Sequence, residues 1–159
     1  MLRSGLRTPP GWTRRPSARS CGTRRWSRST SSCATAAAAL LGLRANEPAR
    51  AFWFVCGGRI LKGESIREGF ARVMRNELGY TCAFTEAMPR GVYEHLYETN
   101  RFGDPGFGTH YIVLAYEVVV PDHLEPRPDA QHRELAWWRV PDLLASPEVH
   151  PYTKAYFGM

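Results

Sequence analysis

The chain has 159 residues and a formal net charge of +6, and 43% of its residues are hydrophobic. This length and composition fit one globular domain, and no apolar run approaches the ~18 residues of a membrane-spanning helix. Residues 1–46 hold nine of the 21 basic residues and no acidic one. Residues 47–159 therefore hold the other twelve basic residues and all fifteen acidic residues. Because the positive charge belongs to one end, we expect no nucleic-acid partner. Because no apolar run is long enough for a membrane span, we expect no membrane partner.

The cysteines show neither CxxC spacing nor a nearby pair of histidines; they are Cys21, Cys33, Cys56 and Cys82. This pattern argues against a zinc site and against a disulfide framework. Thiols in a reducing compartment fit it better, so we expect a cytoplasmic protein.

Residues 1–39 are rich in Arg, Ser, Thr, Ala and Pro and have no apolar period. One interpretation is a disordered tail. Another is a targeting segment, because an Arg-rich, acid-free composition is typical of transit peptides and Arg24-Arg25 before AAAALLGL resembles a twin-arginine signal. The interpretation that we favour is translation in a shifted reading frame. We therefore divide the chain into this segment, 1–39, and a domain, 40–159.

The sequence WSRSTSSCATAAAA is compatible with such a frameshift. With GC-rich codons of our choice it begins TGG TCT CGA TCG ACC TCG TCG TGC GCG ACC. Read from the third base, this DNA encodes VSIDLVVRD, an alternating, β-branched strand followed by a turn. The domain otherwise lacks a first strand, so we expect that strand to be missing or garbled. Sequencing the gene upstream of the Leu40 codon tests this hypothesis.

From residue 40 onwards the sequence predicts mixed α/β structure. Residues 51–55, AFWFV, form a short aromatic strand, and further strands are expected at 92–98, 111–120 and 135–140. A helix is predicted over 65–78 from apolar residues at helical spacing, with Ser65 as its N-cap and Gly79 just beyond its end. PDLLAS and PYTKAYF predict short helices that begin with proline. The layout indicates a sheet covered by helices.

The stretch GGRILKGESIREGFARVMRNELGY, residues 57–80, carries five residues in the register G-x5-E-x7-R-x4-E-x-G: Gly58, Glu64, Arg72, Glu77 and Gly79. Glu77 follows Val73 by four positions and therefore projects from the same face of a helix. One carboxylate beside a glycine turn is a weak site for a hard cation. Substrate oxygens would have to complete the coordination shell of the cation. Any one of these residues is compatible with an ordinary amphipathic helix whose charged side chains are solvated. The five residues together in this register are a specific signal for a metal and diphosphate site.

This stretch resembles the Nudix box, in which two further glutamates occupy the positions of Val73 and Asn76. Loss of those two carboxylates is a mark of GDP-mannose mannosyl hydrolases, and the resemblance to that subfamily extends over about residues 40–158. The segments that carry it are LLGLRANEPARAFWFVCGGR, VYEHLYETNRFGDPGFGTHYIVLAYE, DAQHRELAWW and DLLASPEVHPYTKAYF. The resemblance implies a Nudix-type α/β/α sandwich with a mixed sheet.

The resemblance also implies individual roles. Magnesium, with manganese as the alternative, would be held by Glu77, the carbonyl of Gly58 and Gln131, and His132 would be the general base. The substrate-binding residues would be Arg44 and Arg59 at the diphosphate, with His95 and Tyr111. The structural residues of the box would be Glu64, Arg72 and Gly79.

Attack of a metal-activated water on phosphorus uses several carboxylates to bind the metal and to take the proton. This helix offers only one carboxylate for that purpose. The resemblance implies instead that water attacks C1 of the hexose in GDP-mannose or GDP-glucose, with inversion and release of GDP. A metal and arginines can neutralise that leaving group, and a histidine can accept a proton near neutral pH. We expect a homodimer acting on this small molecule. The alternatives are a diphosphatase cutting a nucleoside diphosphate sugar at phosphorus, or an inactive remnant that binds nucleotides.

Two departures from the family pattern affect these expectations. Cys56 replaces the proline that precedes the two glycines, which would loosen their turn. The first strand of the family carries an aspartate in a motif like SLDF, and this chain has SRSTSS there. We therefore expect part of the nucleotide pocket to be lost, with poor folding or inactivity if this N-terminus is made.

Overall fold

The computed structural model describes residues 21–28 (backbone only), 38–121, 124–126, 128 and 130–158. Over these residues it contains a seven-stranded sheet. The strands are β1 Cys21–Arg28, β2 Ala38–Arg44, β3 Trp53–Val55, β4 Gly57–Arg59, β5 Met88–Tyr97, β6 Thr109–Val120 and β7 His132–Arg139. The helices are α1 Ile66–Leu78, α2 Val140–Ala145 and α3 Pro151–Ala155, with a 3-10 turn at Phe84–Glu86.

The sheet is mixed, as expected. Its order is β3-β2-β1-β6-β5, with β4 beside β1 and β7 beside β2. β1 and β6 run parallel along the whole of β1, and the other strand pairs are antiparallel. The second edge of β1 is shared, since residues 21–23 pair with β4 and residues 27–28 pair with β2. This arrangement brings the ends of β2, β4 and β7 close to α1.

Two apolar cores lie on opposite faces of the sheet. Successive side chains of a strand point to opposite faces, and in β2 this places Leu40 with Phe70 and Met74 of α1. Leu41 packs on the other face with Leu143 of α2. The expected α/β/α sandwich is therefore confirmed.

Helix α1 begins and ends as predicted. The Ser65 hydroxyl accepts a hydrogen bond from the Glu68 amide at 3.3 Å, and the Glu68 carboxylate accepts one from the Ser65 amide at 2.7 Å. This reciprocal capping box fixes the first turn. Gly79 has φ 63° and donates its amide to the Arg75 carbonyl, a left-handed ending that favours glycine. No described helix is long and apolar enough to cross a membrane.

The N-terminal part of the sheet distinguishes between the two alternatives for the first strand, missing or garbled. β1 is present between its neighbours, so the first strand is not missing, although its sequence CGTRRWSR lacks apolar alternation. A strand can form there because backbone N–H and C=O groups pair regardless of side chain, and β6 supplies a partner along its full length. Residues 1–20 and 29–37, which hold most of the proposed frameshift segment, lie outside the described residues. The frameshift and the domain boundary after residue 39 stay predictions.

Candidate active site

A cavity of about 420 Å³ opens where α1 meets β4, the end of β2 and the start of β7. Seven residues expected at the site from the sequence line it: Arg44, Gly58, Arg59, Arg72, Glu77, Tyr111 and Gln131. Asn76 also contributes to the wall. These residues are as much as 87 positions apart in sequence, and the sheet topology brings them to one cavity.

Gly58 and Glu77 lie at the contact between β4 and α1. A Cβ on Gly58 would stand 2.6 Å from Cγ2 of Val73 and 3.3 Å from Oε1 of Glu77, so only glycine fits at this position. Val73 and Glu77 are both buried, at 3% and 4% exposed. The expectation that they share one helix face is confirmed, and the Glu77 carboxylate lies against the strand that carries Gly58.

A buried carboxylate requires compensating positive charge or hydrogen-bond donors. The guanidinium of Arg72 interacts electrostatically with Glu77. The cavity adds hard oxygen donors of the kind that magnesium prefers, from the Gln131 amide and the backbone of Gly58. Among the described residues no three His, Cys, Asp or Glu side chains cluster as a metal site. The residues present therefore fit a metal that takes one carboxylate and fills its other positions with amide, carbonyl, substrate or water oxygens.

Glu64 and Arg72 connect the loop after β4 to α1. Nε and Nη2 of Arg72 donate to the two oxygens of Glu64 at 2.7 and 2.8 Å, a forked ion pair. Nη2 also donates to the carbonyl of Arg59 at 2.6 Å, and Glu64 accepts from the amide of Leu61 at 2.8 Å. These contacts hold the backbone of Arg59 at the cavity wall.

The loop between β2 and β3, residues 45–52, joins Arg44 to Gln131. The amide of Ala45 donates to the Gln131 carbonyl at 2.9 Å. Nε of Arg44 donates to the carbonyl of Pro48 at 2.9 Å. The peptide bond between Glu47 and Pro48 is cis, and Ala49 and Ala51 adopt left-handed φ angles of 64° and 67°. Sequence analysis did not assign this loop to the site; Pro48 within NEPARA was the only signal for it.

His132 lies beneath the cavity rather than on its wall. It is the first residue of β7, directly after Gln131, and its Cα partner across the sheet is Arg44. The side chain is 5% exposed. Its imidazole lies over Gly42, where a Cβ would stand 2.7 Å from Cγ of the ring. The structure thus brings His132 next to two cavity residues and leaves its ring buried.

His95 occupies an aromatic cluster on the other side of Arg44 and Tyr111. Its ring stacks on Tyr152 with centroids 4.2 Å apart, and Nε2 lies 3.0 Å from the Tyr156 hydroxyl. Burial, with a smaller contribution from the charge of His150, lowers the pKa of His95 to about 4, so its ring is neutral at pH 7. His95 lines a side pocket of about 50 Å³ that shares Arg44 and Tyr111 with the main cavity.

Arg101 is a cavity residue that sequence analysis missed. It lies in the loop between β5 and β6, where buried Asn100 donates to the carbonyls of Asp104 and Phe107 at 2.6 and 3.0 Å. The Asn100 side chain also accepts a hydrogen bond from the amide of Phe102 at 2.9 Å. The loop is therefore ordered around Asn100 and presents the next residue, Arg101, to the cavity. The residues between the predicted strands 92–98 and 111–120 carry no periodic signal that could single out this arginine.

An α/β/α sandwich with the box register on the loop and helix beside a polar cavity is the architecture of a Nudix hydrolase. A family model of the NUDIX domain matches residues 28–157. The chain belongs to the Nudix family and is a Nudix hydrolase, a class of enzymes that generally uses divalent metals. The resemblance found in the sequence is confirmed at this level.

Relatives and solved structures agree with this assignment. The chain is 37% identical over 119 residues to the low-salt glycan biosynthesis protein Agl8 of Haloferax volcanii, covering 74% of this chain and 70% of that protein. The MutT protein of Methanosarcina mazei Go1 superimposes with a TM-score of 0.67 at 16% identity, covering 88% of this chain and 90% of that one. The NUDIX domain of Shewanella oneidensis NrtR, solved with ADP ribose, gives 0.65 at 14% identity and covers 89% and 86%. These two structures establish the fold alone.

Proposed function

We propose that this protein hydrolyses GDP-mannose or GDP-glucose to GDP and free hexose, by attack of water at the anomeric carbon. The observation that carries the proposal is the pairing of one buried helix carboxylate, Glu77, with a cavity that also contains Arg44 and Arg59. The glycan biosynthesis role in the name of the Haloferax relative supports a nucleotide sugar as substrate.

Glu77, Gln131 and the backbone of Gly58 would hold the divalent metal, magnesium or, as the alternative, manganese. When bound, the metal supplies positive charge that stabilises the diphosphate as it leaves. Because one carboxylate binds the metal, most of its coordination positions are left to neutral oxygens and to the substrate. The positive charge of the metal is then available to neutralise the leaving group.

Arg44 and Arg59 would bind the diphosphate oxygens. A planar guanidinium matches paired phosphate oxygens, so replacement of either arginine by lysine should weaken GDP binding. The Pro48 carbonyl orients the Arg44 side chain, and Arg72 orients the backbone of Arg59. Tyr111 would donate its hydroxyl to a phosphate oxygen, and His95 would contact the substrate from the side pocket.

His132 would accept the proton of the attacking water. The new bond joins the water oxygen to C1, the bond from C1 to the β-phosphate oxygen breaks, and its electron pair leaves with GDP. Attack opposite the leaving group inverts C1, so an α-linked substrate yields the β-hexose. The position of His132 next to Gln131 and across from Arg44 supports this role.

Product analysis tests the proposal. With GDP-mannose and magnesium we expect GDP and mannose in equal amounts, with the β-anomer first in a proton NMR time course. The His132→Gln variant should lose turnover by ~10² or more and still bind GDP. GMP with mannose 1-phosphate would establish the diphosphatase instead. Unchanged products and rates in His132→Gln would reject His132 as the base, and absence of turnover in the wild type would favour the inactive remnant.

We also propose a cytoplasmic homodimer. Exposed apolar side chains on one face of β5 and β6 support a protein interface: Val92, Leu96 and Ile112 are 68%, 60% and 41% exposed. Light scattering that gives the molar mass of a monomer at micromolar protein concentration would contradict the dimer.

A further inference from the structure

The cavity wall carries a second carboxylate, Glu47, which the proposed reaction does not use. Glu47 lies on the loop after β2 and is partly buried at the wall that also contains Glu77. Neither the box register nor the expected metal ligands include it. Its chemistry therefore needs an explanation of its own.

The Glu47 carboxylate joins two loops of the cavity and keeps acceptor capacity. Oε2 accepts a hydrogen bond from the Thr99 hydroxyl at 3.0 Å, and the Thr99 carbonyl accepts one from the Thr109 hydroxyl at 2.9 Å. An ionised carboxylate has about four acceptor sites. Among the described residues Thr99 is the donor found on this carboxylate, so most of these sites are left for hydrogen-bond donors in the cavity.

The charges of the cavity indicate which part of a substrate Glu47 meets. Arg44, Arg59 and Arg101 line the same cavity and suit the anionic diphosphate. A carboxylate beside that diphosphate would repel it, whereas the hydroxyl groups of a sugar are neutral donors that a carboxylate binds well. Glu47 therefore suits the hexose end of the substrate.

The position of the loop agrees with this orientation. Arg44 of β2 pairs with His132 on the neighbouring strand β7. The Asn46 side chain donates to the carbonyl of Ala130 at 3.4 Å. The loop that carries Glu47 is thus hydrogen-bonded to the segment directly before the proposed base. A hexose whose C1 lay within reach of that base would have this loop beside it.

We propose that Glu47 binds hydroxyl groups of the hexose and is a specificity-determining residue of the site. This inference rests on the proposed function for the identity of the sugar nucleotide. Glu47 then contributes to the affinity for GDP-mannose and not to the affinity for GDP. It also contributes to the selectivity between mannose and glucose.

Binding and steady-state kinetics test this role. Calorimetry with magnesium, in the His132→Gln background that suppresses turnover, should show GDP-mannose binding about tenfold weaker in Glu47→Gln, with the Kd of GDP changed less than twofold. In the wild-type background, Glu47→Gln should change the ratio of kcat/KM for GDP-mannose over GDP-glucose at least threefold. The matched control is Glu98→Gln, an exposed acid next to Thr99 and off the cavity wall; it should change neither quantity.

A second variant separates recognition from loop anchoring. Thr99→Val removes the hydrogen bond to Glu47 and keeps the carboxylate, so it should leave most of the difference between GDP-mannose and GDP affinity in place. Equal losses for GDP and GDP-mannose in Glu47→Gln, or a full loss in Thr99→Val, would overturn the inference. So would a wild type that binds GDP-mannose no more tightly than GDP. Cleavage at phosphorus would refute the proposed function and leave this affinity difference as the test of Glu47.

Discussion

The imidazole of His132 lies directly over Gly42 of β2. A Cβ at residue 42 would stand 2.7 Å from Cγ and 2.9 Å from Nε2 of the ring, closer than real side chains approach. The LLGLR segment therefore needs glycine at this position because the proposed base occupies the space above it.

Gly42→Ala should displace the His132 ring and lower kcat by about tenfold, since misplacement of a catalytic group reduces the rate steeply. Steady-state kinetics with GDP-mannose measure this change. The double variant Gly42→Ala/His132→Gln provides the control. If Gly42 acts through His132, the double variant turns over no more slowly than His132→Gln. Additive losses would show that the alanine disturbs something else.

Glu77→Gln should abolish metal binding without destabilising the metal-free protein. Glutamine keeps the shape of the side chain and removes a charge that is costly to bury at 4% exposure. We expect turnover to fall by ~10² or more, and the rise in Tm that magnesium gives the wild type to disappear. The exposed Glu148 supplies a matched control, Glu148→Gln. A full magnesium-dependent rise in Tm in Glu77→Gln would remove Glu77 from the metal site.

Acidification should destabilise the protein through His95 and His150. Burial lowers the pKa of both histidines in the folded state, that of His95 to about 4. The unfolded chain then binds more protons below the ordinary histidine pKa of about 6.5. The stability from each neutral ring is fully present above pH 6.5 and is lost as the pH falls towards the folded-state pKa.

Urea unfolding at pH 8 and pH 5 measures this loss, to which His95 should contribute on the order of 1 to 2 kcal/mol. The loss should be smaller by that amount in His95→Gln. His110→Gln is the control, because His110 lies exposed on β6. An equal loss in the wild type and His95→Gln would contradict the assignment.

Ala49→Gly and Ala51→Gly should each stabilise the protein by about 0.5 to 1 kcal/mol. Both alanines have left-handed φ angles, which cost an L-residue more than glycine. Ala71→Gly in α1 is the opposing control and should destabilise by about 1 kcal/mol. Thermal unfolding compares the three variants. Destabilisation by the two loop substitutions would show that the 45–52 loop is not strained at these residues.

Periodicity and local chemistry predicted the elements with one buried face. Phe70, Met74 and Leu78 recur at helical spacing, and Ser65 and Gly79 mark the ends of α1, because caps and faces are local properties of the chain. β2 was not predicted. Its AALLGLR sequence lies between β7 on one edge and β1 and β3 on the other, and residues 39–42 are all buried, so it has no alternation to detect.

The candidate site was predictable where a motif fixed residues by spacing. Gly58 and Glu77 belong to one register, and their contact follows from the packing of α1 on β4. Glu47 and Arg101 were not predictable in this way. They reach the cavity through loops whose paths depend on long-range hydrogen bonds, such as that of Thr99 to Glu47.

Hydrolysis of GDP-mannose with magnesium in ¹⁸O-labelled water tests the central claim most directly. Mass spectrometry locates the label in the products. We predict label in mannose and unlabelled GDP, since water attacks carbon and the whole diphosphate leaves. Label in a phosphate product would mean attack at phosphorus and would contradict the proposed roles of His132, Gln131 and Glu77.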